Sequence, residues 1–223
     1  MFFSTRKITE TPPIFFKNGM SYVSIKRVHQ TKFLGVHYDE QLKFKHHINS
    51  ISSKLSKLAG MFHTLHSFLP TSILRMIYNA HVNSLLYYNT PIWCCNYEQN
   101  IKPLHVLQKR IIRNITKSDF LAHSKPLFKR SKILTVYDLN KLYMGTQFYK
   151  HPDKYVAPLR PGHDINTRNA GILRPPQHGL SLVRNSFLIQ GPLNYNCIPA
   201  NIKLTKSIYS FKKKFKKYLI SKY

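Results

Sequence analysis

Residues 101–117, IKPLHVLQKRIIRNITK, decide the fold because one segment carries both a helical periodicity and a basic stripe. Apolar residues recur here at three- and four-residue steps, which places them on one side of an α-helix. These apolar residues are Ile101, Leu104, Leu107, Ile111 and Ile115. Lys109, Arg113 and Lys117 follow one another at four-residue spacing on the other side. We therefore predict a helix that buries one side and exposes a candidate phosphate-binding face on the other.

Further helices are predicted on both sides of this segment. The two preceding helices have apolar positions at Ile48, Ile51, Leu55, Leu58, Phe62 and Leu65, and at Leu74, Ile77, Tyr78, His81, Leu85 and Tyr88. A following helix begins at Thr135, where Asp138 completes a capping box, and continues through Leu139, Leu142 and Phe148. The last helix has a narrow apolar stripe at Ile208, Phe211, Phe215 and Leu219, and lysines cover the rest of it. The pattern predicts a helical bundle.

Strands are predicted only near the N-terminus. Residues 14–16 and 22–25 form two apolar runs separated by Lys17-Asn18-Gly19, and the Asn-Gly dipeptide is typical of a tight hairpin turn. We expect a third strand at residues 32–37. From residue 151 to Pro199 the helical periodicity disappears and seven of the thirteen prolines occur, which predicts a loop-rich segment.

The composition favours a polyanionic partner. The 223 residues contain 35 Lys and Arg against 8 Asp and Glu, which gives a formal net charge of +27. The apolar run at the N-terminus is too short for a signal peptide, and no stretch reaches the length of a membrane span, so we expect the nucleus or cytoplasm. Cys94-Cys95 and the distant Cys197 form neither a disulfide framework nor a zinc pattern, and we interpret the pair as a buried turn.

A series of short motifs along the chain resembles the C-terminal part of reverse transcriptases from non-LTR retrotransposons of the LINE type, similar to the jockey and CR1 elements. In chain order these motifs are Phe33-Leu34-Gly35-Val36 with Asp39, Leu42, Phe44 and His47-Ile48; Leu69-Pro70 with Ile77-Tyr78; Tyr87-Tyr88 with Trp93; Leu107-Gln108-Lys109-Arg110 with Arg113-Asn114-Ile115; and Thr167-Arg168, Ser186-Phe187, Gly191-Pro192, Asn196 and Ile198-Pro199. Tyr195 departs from the family pattern, which commonly has Trp there. The resemblance covers nearly the whole chain.

The resemblance implies an α+β architecture in three segments. Residues 1–40 correspond to a remnant of the palm edge with short antiparallel strands, and residues 41–150 to a thumb-like helical bundle. Residues 151–223 correspond to a loop-rich C-terminal segment that ends in a basic amphipathic helix. The strand near Phe33 is expected to lie at an exposed sheet edge.

The resemblance also implies what chemistry the chain lacks. Polymerisation in this family resembles two-metal phosphoryl transfer, in which clustered Asp residues hold Mg²⁺. The family's Tyr-x-Asp-Asp motif and its earlier Asp motif precede the segment that matches Phe33, and nothing in this sequence matches them. The only adjacent acids are Asp39-Glu40, which we interpret as a turn or helix start. We therefore predict no catalytic residue and no metal site here, and expect Mg²⁺ only in an intact polymerase.

Two basic clusters are candidate nucleic-acid-binding residues. Lys109, Arg110, Arg113 and Lys117 match the thumb of similar polymerases, which lies along the duplex backbone and contacts phosphates. Lys212, Lys213 and Lys216 belong to a lysine run that is either an RNA-binding arm or a nuclear-localisation signal. Both clusters also fit the simpler interpretation of a solvated helix face. Phe211 and Phe215 are interpreted as core residues rather than stacking platforms, and Tyr87, Tyr88 and Trp93 are interpreted as packing residues rather than base-stacking ones.

Twelve histidines raise the possibility of a zinc site, and His63 and His66 form a helical pair near His46-His47 in sequence. No cysteine or acid cluster near them completes a ligand set, so we interpret them as core or surface residues.

Three functions are compatible with these patterns. The first is a truncated reverse transcriptase tail that binds RNA or an RNA–DNA duplex through phosphate contacts, does not polymerise by itself, and pairs with the missing palm and fingers. The second is a stand-alone nucleic-acid-binding protein derived from a retroelement. The third is a basic protein of the membrane surface, which is disfavoured because the charge is spread along the whole chain. We expect no small-molecule substrate and no cofactor in this chain.

Overall fold

The described strands form two separate hairpins before the first long helix. The structure, a computed structural model, describes residues 1, 3–4, 13–19, 21–95, 98–151, 173, 175–177, 179 and 181–223. In the first hairpin β1 (Phe15–Asn18) pairs antiparallel with β2 (Ser21–Ser24), and in the second β3 (Gln30–Phe33) pairs with β4 (Val36–Asp39). Helices account for most of the other described residues, so the α+β class is confirmed.

The first hairpin turns one residue later than the Asn18-Gly19 pair predicted. Asn18 pairs with Ser21, which makes Gly19 the first residue of the loop. Gly19 has a φ of +62°, a left-handed conformation that glycine adopts without steric cost. The two strands are confirmed, and only the position of the turn differs.

The second hairpin corrects the single strand that was expected at residues 32–37. The chain reverses at Leu34 and Gly35, whose φ angles are +46° and +78°. Positive φ angles at both central residues are typical of a type I′ hairpin turn. The Tyr88 hydroxyl donates a 2.6 Å hydrogen bond to the carbonyl oxygen of Leu34, and its ring lies beside Gly35. A distant residue therefore stabilises a leucine in a backbone conformation that leucine rarely adopts.

Among the described residues, helices follow the two hairpins. They are α1 (Lys45–Leu65), α2 (Thr71–Ile77), α3 (Ser84–Tyr87), α4 (Thr90–Trp93), α5 (Glu98–Thr116), α6 (Ser124–Ser131), α7 (Val136–Lys150), α8 (Ser181–Arg184), α9 (Phe187–Asn196), α10 (Ala200–Lys203) and α11 (Ile208–Ser221). A π-helical segment (Tyr78–Asn83) connects α2 to α3. No described helix has both the length and the apolar character that a membrane span requires.

The core forms where α1 packs along α5. Most of the apolar positions predicted on these two helices are buried, and Leu58, Leu65 and Leu107 are partly buried against the same cluster. The cluster of buried side chains continues from Val36 to Leu219, so β4, the central helices and α11 share one core. Burial of this apolar surface is the main stabilising contribution, since each large apolar side chain contributes about 1.5–3 kcal/mol.

The face predicted for the helix after α1 is buried in part: Leu74 and Tyr78 are buried, Ile77 and Leu85 are partly buried against the core, and Tyr88 is exposed. Tyr78 is buried as expected, but His81 is exposed and Val82 takes the buried position on the next turn. The cause is the π-helical segment, whose hydrogen bonds skip one more residue than those of an α-helix and rotate the following side chains. Leu74 and Leu86 continue the same four-residue step on either side. A three- and four-residue periodicity cannot anticipate this rotation.

The N-cap predicted at Thr135 is confirmed, but only one of the two hydrogen bonds of a capping box forms. The Thr135 hydroxyl accepts a 3.2 Å hydrogen bond from the backbone N–H of Asp138. The hydroxyl of Tyr223, the last residue, donates a 2.6 Å hydrogen bond to the carboxylate of Asp138. It also accepts the backbone N–H of Thr135 at 3.0 Å. The start of α7 and the end of the chain are therefore tied together through one buried carboxylate.

The C-terminal segment contains helices where the loop-rich interpretation placed none. Between residue 181 and Pro199, α8 and α9 are helical, and α9 packs on α7. A Cβ atom at Gly191 would lie 2.2 Å from the ring of Phe148, so only glycine permits this approach. Gly191 and Pro192 in the middle of α9 explain why periodicity did not reveal the helix. The Thr167-Arg168 motif lies outside the described residues.

Candidate nucleic-acid interface

A groove of about 820 Å³ lies between the C-terminal halves of α1 and α5. The α1 wall carries mostly small or polar residues, namely Ser56, Ala59, Gly60, His63, His66 and Ser67. A Cβ atom added at Gly60 would meet nothing within 4 Å, so the groove is open at this point. The opposite wall is formed by Arg110, Arg113 and Asn114, which lie on one side of α5, and by Lys117, which follows the helix with a φ of +50°. Small residues therefore face a basic wall across the groove.

The structure divides the first predicted basic cluster into two parts. Arg110, Arg113 and Lys117 line the groove. Lys109 lines a separate depression of about 590 Å³ together with His105 and residues of α6. The reason is helical geometry, because adjacent residues point about 100° apart and Lys109 and Arg110 face different sides of α5.

The basic wall has little acidic compensation. The ion pairs found in the described part of the chain are Arg27–Glu40, His29–Glu40 and Lys141–Asp138, and all lie outside the groove. Asp119 is the acid that lines the groove, and its carboxylate accepts the backbone N–H of Phe120 at 2.6 Å. An anion that enters the groove would meet positive charges that are not paired with protein carboxylates.

Arg113 has a second role at the end of α5. Its Nε donates a 3.0 Å hydrogen bond to the carbonyl oxygen of Ala122, and its guanidinium lies 5.9 Å from the centre of the Phe120 ring. These contacts connect the basic wall to the loop between α5 and α6. Arg113 is half-buried, whereas Arg110 and Lys117 are exposed.

His63 and His66 stack on each other at one wall of the groove. Their ring centres are 5.5 Å apart, and the Nδ1 of His66 contacts the carbonyl oxygen of His63. Within the described residues, no three side chains of His, Cys, Asp or Glu come together as a metal-binding group. The groove therefore presents imidazole edges and cationic groups to a ligand.

The lysine helix forms a second basic surface. Lys212, Lys213 and Lys216 are exposed on α11, and none of them lines the groove. Partial desolvation and the nearby positive charge of Arg75 lower the pKa of Lys216. Phe211 and Phe215 are buried, which confirms that they are core residues.

The adjacent cysteines lie in a turn after α4. Cys94 is buried and Cys95 is half-buried, as the sequence predicted, and neither forms a disulfide. Burial raises the pKa of the Cys94 thiol, and the neighbouring Cys95 makes a smaller contribution in the same direction. A thiol in this setting stays protonated and packs as a small apolar side chain.

Comparison with known proteins identifies relatives of this sequence. No family model matches it, and no solved structure matches it significantly. Over 154 residues it is 25% identical to the probable RNA-directed DNA polymerase from transposon X-element of Drosophila melanogaster, a match that covers 68% of this chain. Over 149 residues it is 26% identical to the probable RNA-directed DNA polymerase from transposon BS of the same species, covering 66%. This chain is related to transposon RNA-directed DNA polymerases.

The relation confirms the resemblance to reverse transcriptases of non-LTR retrotransposons. The chain spans only 16% of the length of each relative. The polymerase activity in the relatives' names is therefore assigned to much longer proteins than these 223 residues.

In this reverse-transcriptase-related chain, the adjacent acids Asp39 and Glu40 both have structural partners. The carboxylate of Asp39 accepts three backbone N–H groups at 2.7–3.1 Å, those of Gln41, Lys43 and Phe44. Glu40 pairs with Arg27 at 2.9 Å and with His29 at 3.1 Å, and the hydrogen bonds from His29 and then Arg27 lower the pKa of its carboxyl group. The interpretation of this pair as the turn that leads into α1 is confirmed.

Sequence reasoning missed two parts of the groove. It did not single out the small residues of α1, although Ser56, Ala59, Gly60 and His63 recur at three- and four-residue steps that could have revealed a weakly filled helix face. It also missed Phe120, which lines the groove while 72% exposed. A lone aromatic residue in a loop gives no periodic signal.

Proposed function

We propose that this chain is a segment derived from a retrotransposon reverse transcriptase that binds RNA or an RNA–DNA duplex through its phosphates. The observation that carries the proposal is the groove whose wall bears Arg110, Arg113 and Lys117 without an ion-paired carboxylate among the described residues. Phosphate binding releases condensed counterions, so such a wall gives affinity that is independent of sequence. The net charge of +27 adds long-range attraction.

We also propose that these 223 residues do not polymerise nucleotides by themselves. Two-metal catalysis needs carboxylate oxygens that are available to Mg²⁺. The oxygens of Asp39 accept backbone N–H groups, and Glu40 pairs with Arg27 and His29, so the adjacent acids are already engaged. Template-dependent nucleotide incorporation by the purified chain, if EDTA abolished it, would contradict this statement.

The binding proposal is tested by measuring the affinity for a labelled RNA and an RNA–DNA duplex as a function of salt. Affinity is expected to fall steeply between about 50 and 200 mM salt, as it does when several phosphates are contacted. The substitutions Arg110→Gln and Lys117→Gln should each flatten the log–log slope by about 0.7 for a single strand and about 0.9 for a duplex. An affinity that does not change with salt would rule the proposal out.

Lys102→Gln is the matched control for this experiment. Lys102 is exposed on α5 like Arg110, but it lines a different depression beside Asn49 and Gln99. Its substitution removes the same charge from the same helix outside the groove. A slope that changes as much for Lys102→Gln as for Arg110→Gln would show that general charge, and not the groove, determines binding.

A second candidate function is a stand-alone nucleic-acid-binding protein derived from a retroelement. The observation that favours it is the closed core, in which Trp93, Tyr78 and Phe62 are fully buried by residues of this chain alone. A chain of this kind is expected to unfold cooperatively as a monomer. Purification as a soluble monomer with one unfolding transition supports this candidate, whereas aggregation through the β1–β2 hairpin would argue against it.

A further inference from the structure

Phe120 and Leu121 are among the most exposed large apolar residues of the chain. Their side chains are 72% and 82% exposed in the short loop between α5 and α6. A single exposed apolar side chain is common on protein surfaces, so the case for a partner at Phe120 rests on the groups that surround its ring. Phe120 itself lines the groove between α1 and α5.

The loop that carries Phe120 is held in place by polar contacts. The backbone N–H of Ser118 donates to the carbonyl oxygen of Arg113 at 3.0 Å, and that of Ala122 donates to the carbonyl oxygen of Asp119 at 3.1 Å. Arg113 also donates to the carbonyl oxygen of Ala122. The next helix contributes Arg130, which donates to the carbonyl oxygen of Thr116 at 3.0 Å. The ring is therefore presented by a defined loop.

Cationic groups lie on the same side of the molecule as this ring. Arg113 is within cation–π distance of Phe120, and Arg110 and Lys117 line the same groove. A basic groove with an aromatic ring in its wall is the combination by which proteins bind single-stranded nucleic acids, because phosphates meet the charges while a base stacks on the ring. Bases inside a duplex are stacked on one another and do not offer their faces to a side chain.

We infer that the groove binds single-stranded RNA or DNA, with one unpaired base stacked on Phe120 and the adjoining phosphates held by Arg110 and Lys117. This inference rests on the proposed function and narrows its ligand to an unpaired strand. Asp119 supports the arrangement, since its negative charge beside Phe120 repels phosphate and leaves that position to the uncharged face of a base.

The test compares three substitutions of Phe120 in the full chain. Phe120→Ala removes the ring, Phe120→Leu keeps an apolar side chain without a π-face, and Phe120→Trp enlarges the ring. The probes are a labelled single-stranded RNA without secondary structure and a blunt RNA–DNA duplex of the same sequence at the same ionic strength. Phe16→Ala is the matched control, because Phe16 is a 60% exposed phenylalanine on β1, outside the groove.

Removal of the ring is expected to weaken binding of the single strand about five- to a hundredfold in Phe120→Ala, and nearly as much in Phe120→Leu. Phe120→Trp should keep the affinity, and duplex affinity should stay within about twofold in all three variants. The salt slope should not change, because stacking releases no counterions. Tryptophan fluorescence gives a direct signal, since base stacking should quench the indole introduced by Phe120→Trp, beyond any change seen for the buried Trp93 of the parent chain.

Several outcomes would overturn the inference. An unchanged single-strand affinity in Phe120→Ala, with salt-dependent binding intact, would remove the stacking role but leave the proposed function standing. Equal weakening of single-strand and duplex binding in Phe120→Ala would also remove the stacking role and leave the proposed function standing. Loss of vesicle binding or of self-association in Phe120→Ala, without loss of RNA affinity, would assign the ring to another partner. If the parent chain bound neither probe at low salt, the proposed function would fail with it.

Discussion

Acidification is expected to destabilise this chain through His47, which lies on α1 and is 5% exposed. Its Nδ1 accepts the backbone N–H of His37 at 3.4 Å, and its ring meets Trp93 edge-on at 5.9 Å between centres. Its Nε2 is buried and has no hydrogen-bond partner among the described residues. Burial, followed by the positive charges of His37 and Lys54, lowers the pKa of His47 from 6.5 to about 4.

The sign and size of the effect follow from this pKa. Between pH 6.5 and about pH 4, His47 is protonated in the unfolded chain but neutral in the folded chain, so the unfolded state binds more protons. The stabilising contribution is complete above pH 6.5 and is lost as the pH falls toward the folded-state pKa. Each pKa unit corresponds to about 1.4 kcal/mol, so the shift from 6.5 to about 4 corresponds to a loss of about 3 kcal/mol.

The assay is urea unfolding of the parent chain and of His47→Gln at a series of pH values from neutral to about 4. His47→Gln is expected to lower stability at every pH by disturbing the core. Between neutral pH and about pH 4, however, its free energy of unfolding should fall by about 3 kcal/mol less than that of the parent chain. His81→Gln, at an exposed position of the π-helical segment, is the control and should follow the parent curve. Parallel curves for the parent and His47→Gln would refute the reasoning.

Three further predictions concern packing and buried hydrogen bonds. Gly191→Ala should destabilise the chain by about 1–3 kcal/mol, because the added methyl group overlaps Phe148. Gly60→Ala has free space and should stabilise α1 by about 0.5–1 kcal/mol. Unfolding temperatures that shift in the same direction for both variants would contradict this prediction. Gln108→Leu should cost at least about 1–3 kcal/mol, since the side-chain amide bonds a tyrosine hydroxyl and two backbone groups in the core. Urea midpoints within error of the parent would exclude that role. Tyr223→Phe should cost about 1.5–3 kcal/mol because it removes the hydrogen bond to a buried carboxylate, and unchanged hydrogen exchange at the start of α7 would contradict it.

Local periodicity predicted the helices well where burial follows an ordinary α-helical repeat. The apolar stripes of α1 and α11 are buried largely as their spacing indicated, and the Thr135 side chain caps α7. Predictions were wrong where the local pattern was interrupted. The chain reverses at Leu34 and Gly35, where the distant Tyr88 contacts the turn, and α9 was missed because Gly191 and Pro192 hide its helical periodicity.

In the candidate site, too, the sequence predicted one part of the arrangement and the tertiary structure determined the other. The four-residue spacing of Lys109, Arg113 and Lys117 indicated a basic helix face, but in the structure Lys109 faces a different depression and Arg110 lines the groove. Which basic side chains line the same groove depends on the helix that packs opposite them. The role inferred for Phe120 depends on the loop contacts that hold its ring in the groove wall.

The sequence by itself determined the strong positive charge, the amphipathic helices and the relation to transposon RNA-directed DNA polymerases. These properties reside in composition, in spacing along one helix and in motif order, and none of them requires knowledge of what lies opposite. The tertiary structure alone decided that α1 presents small residues to the basic side of α5, that Asp39 and Glu40 are engaged locally, and that Phe120 stands beside Arg113. The physical reason is that a helix repeat fixes a side chain's direction about its own axis, whereas a groove exists only where two packed elements leave space between them.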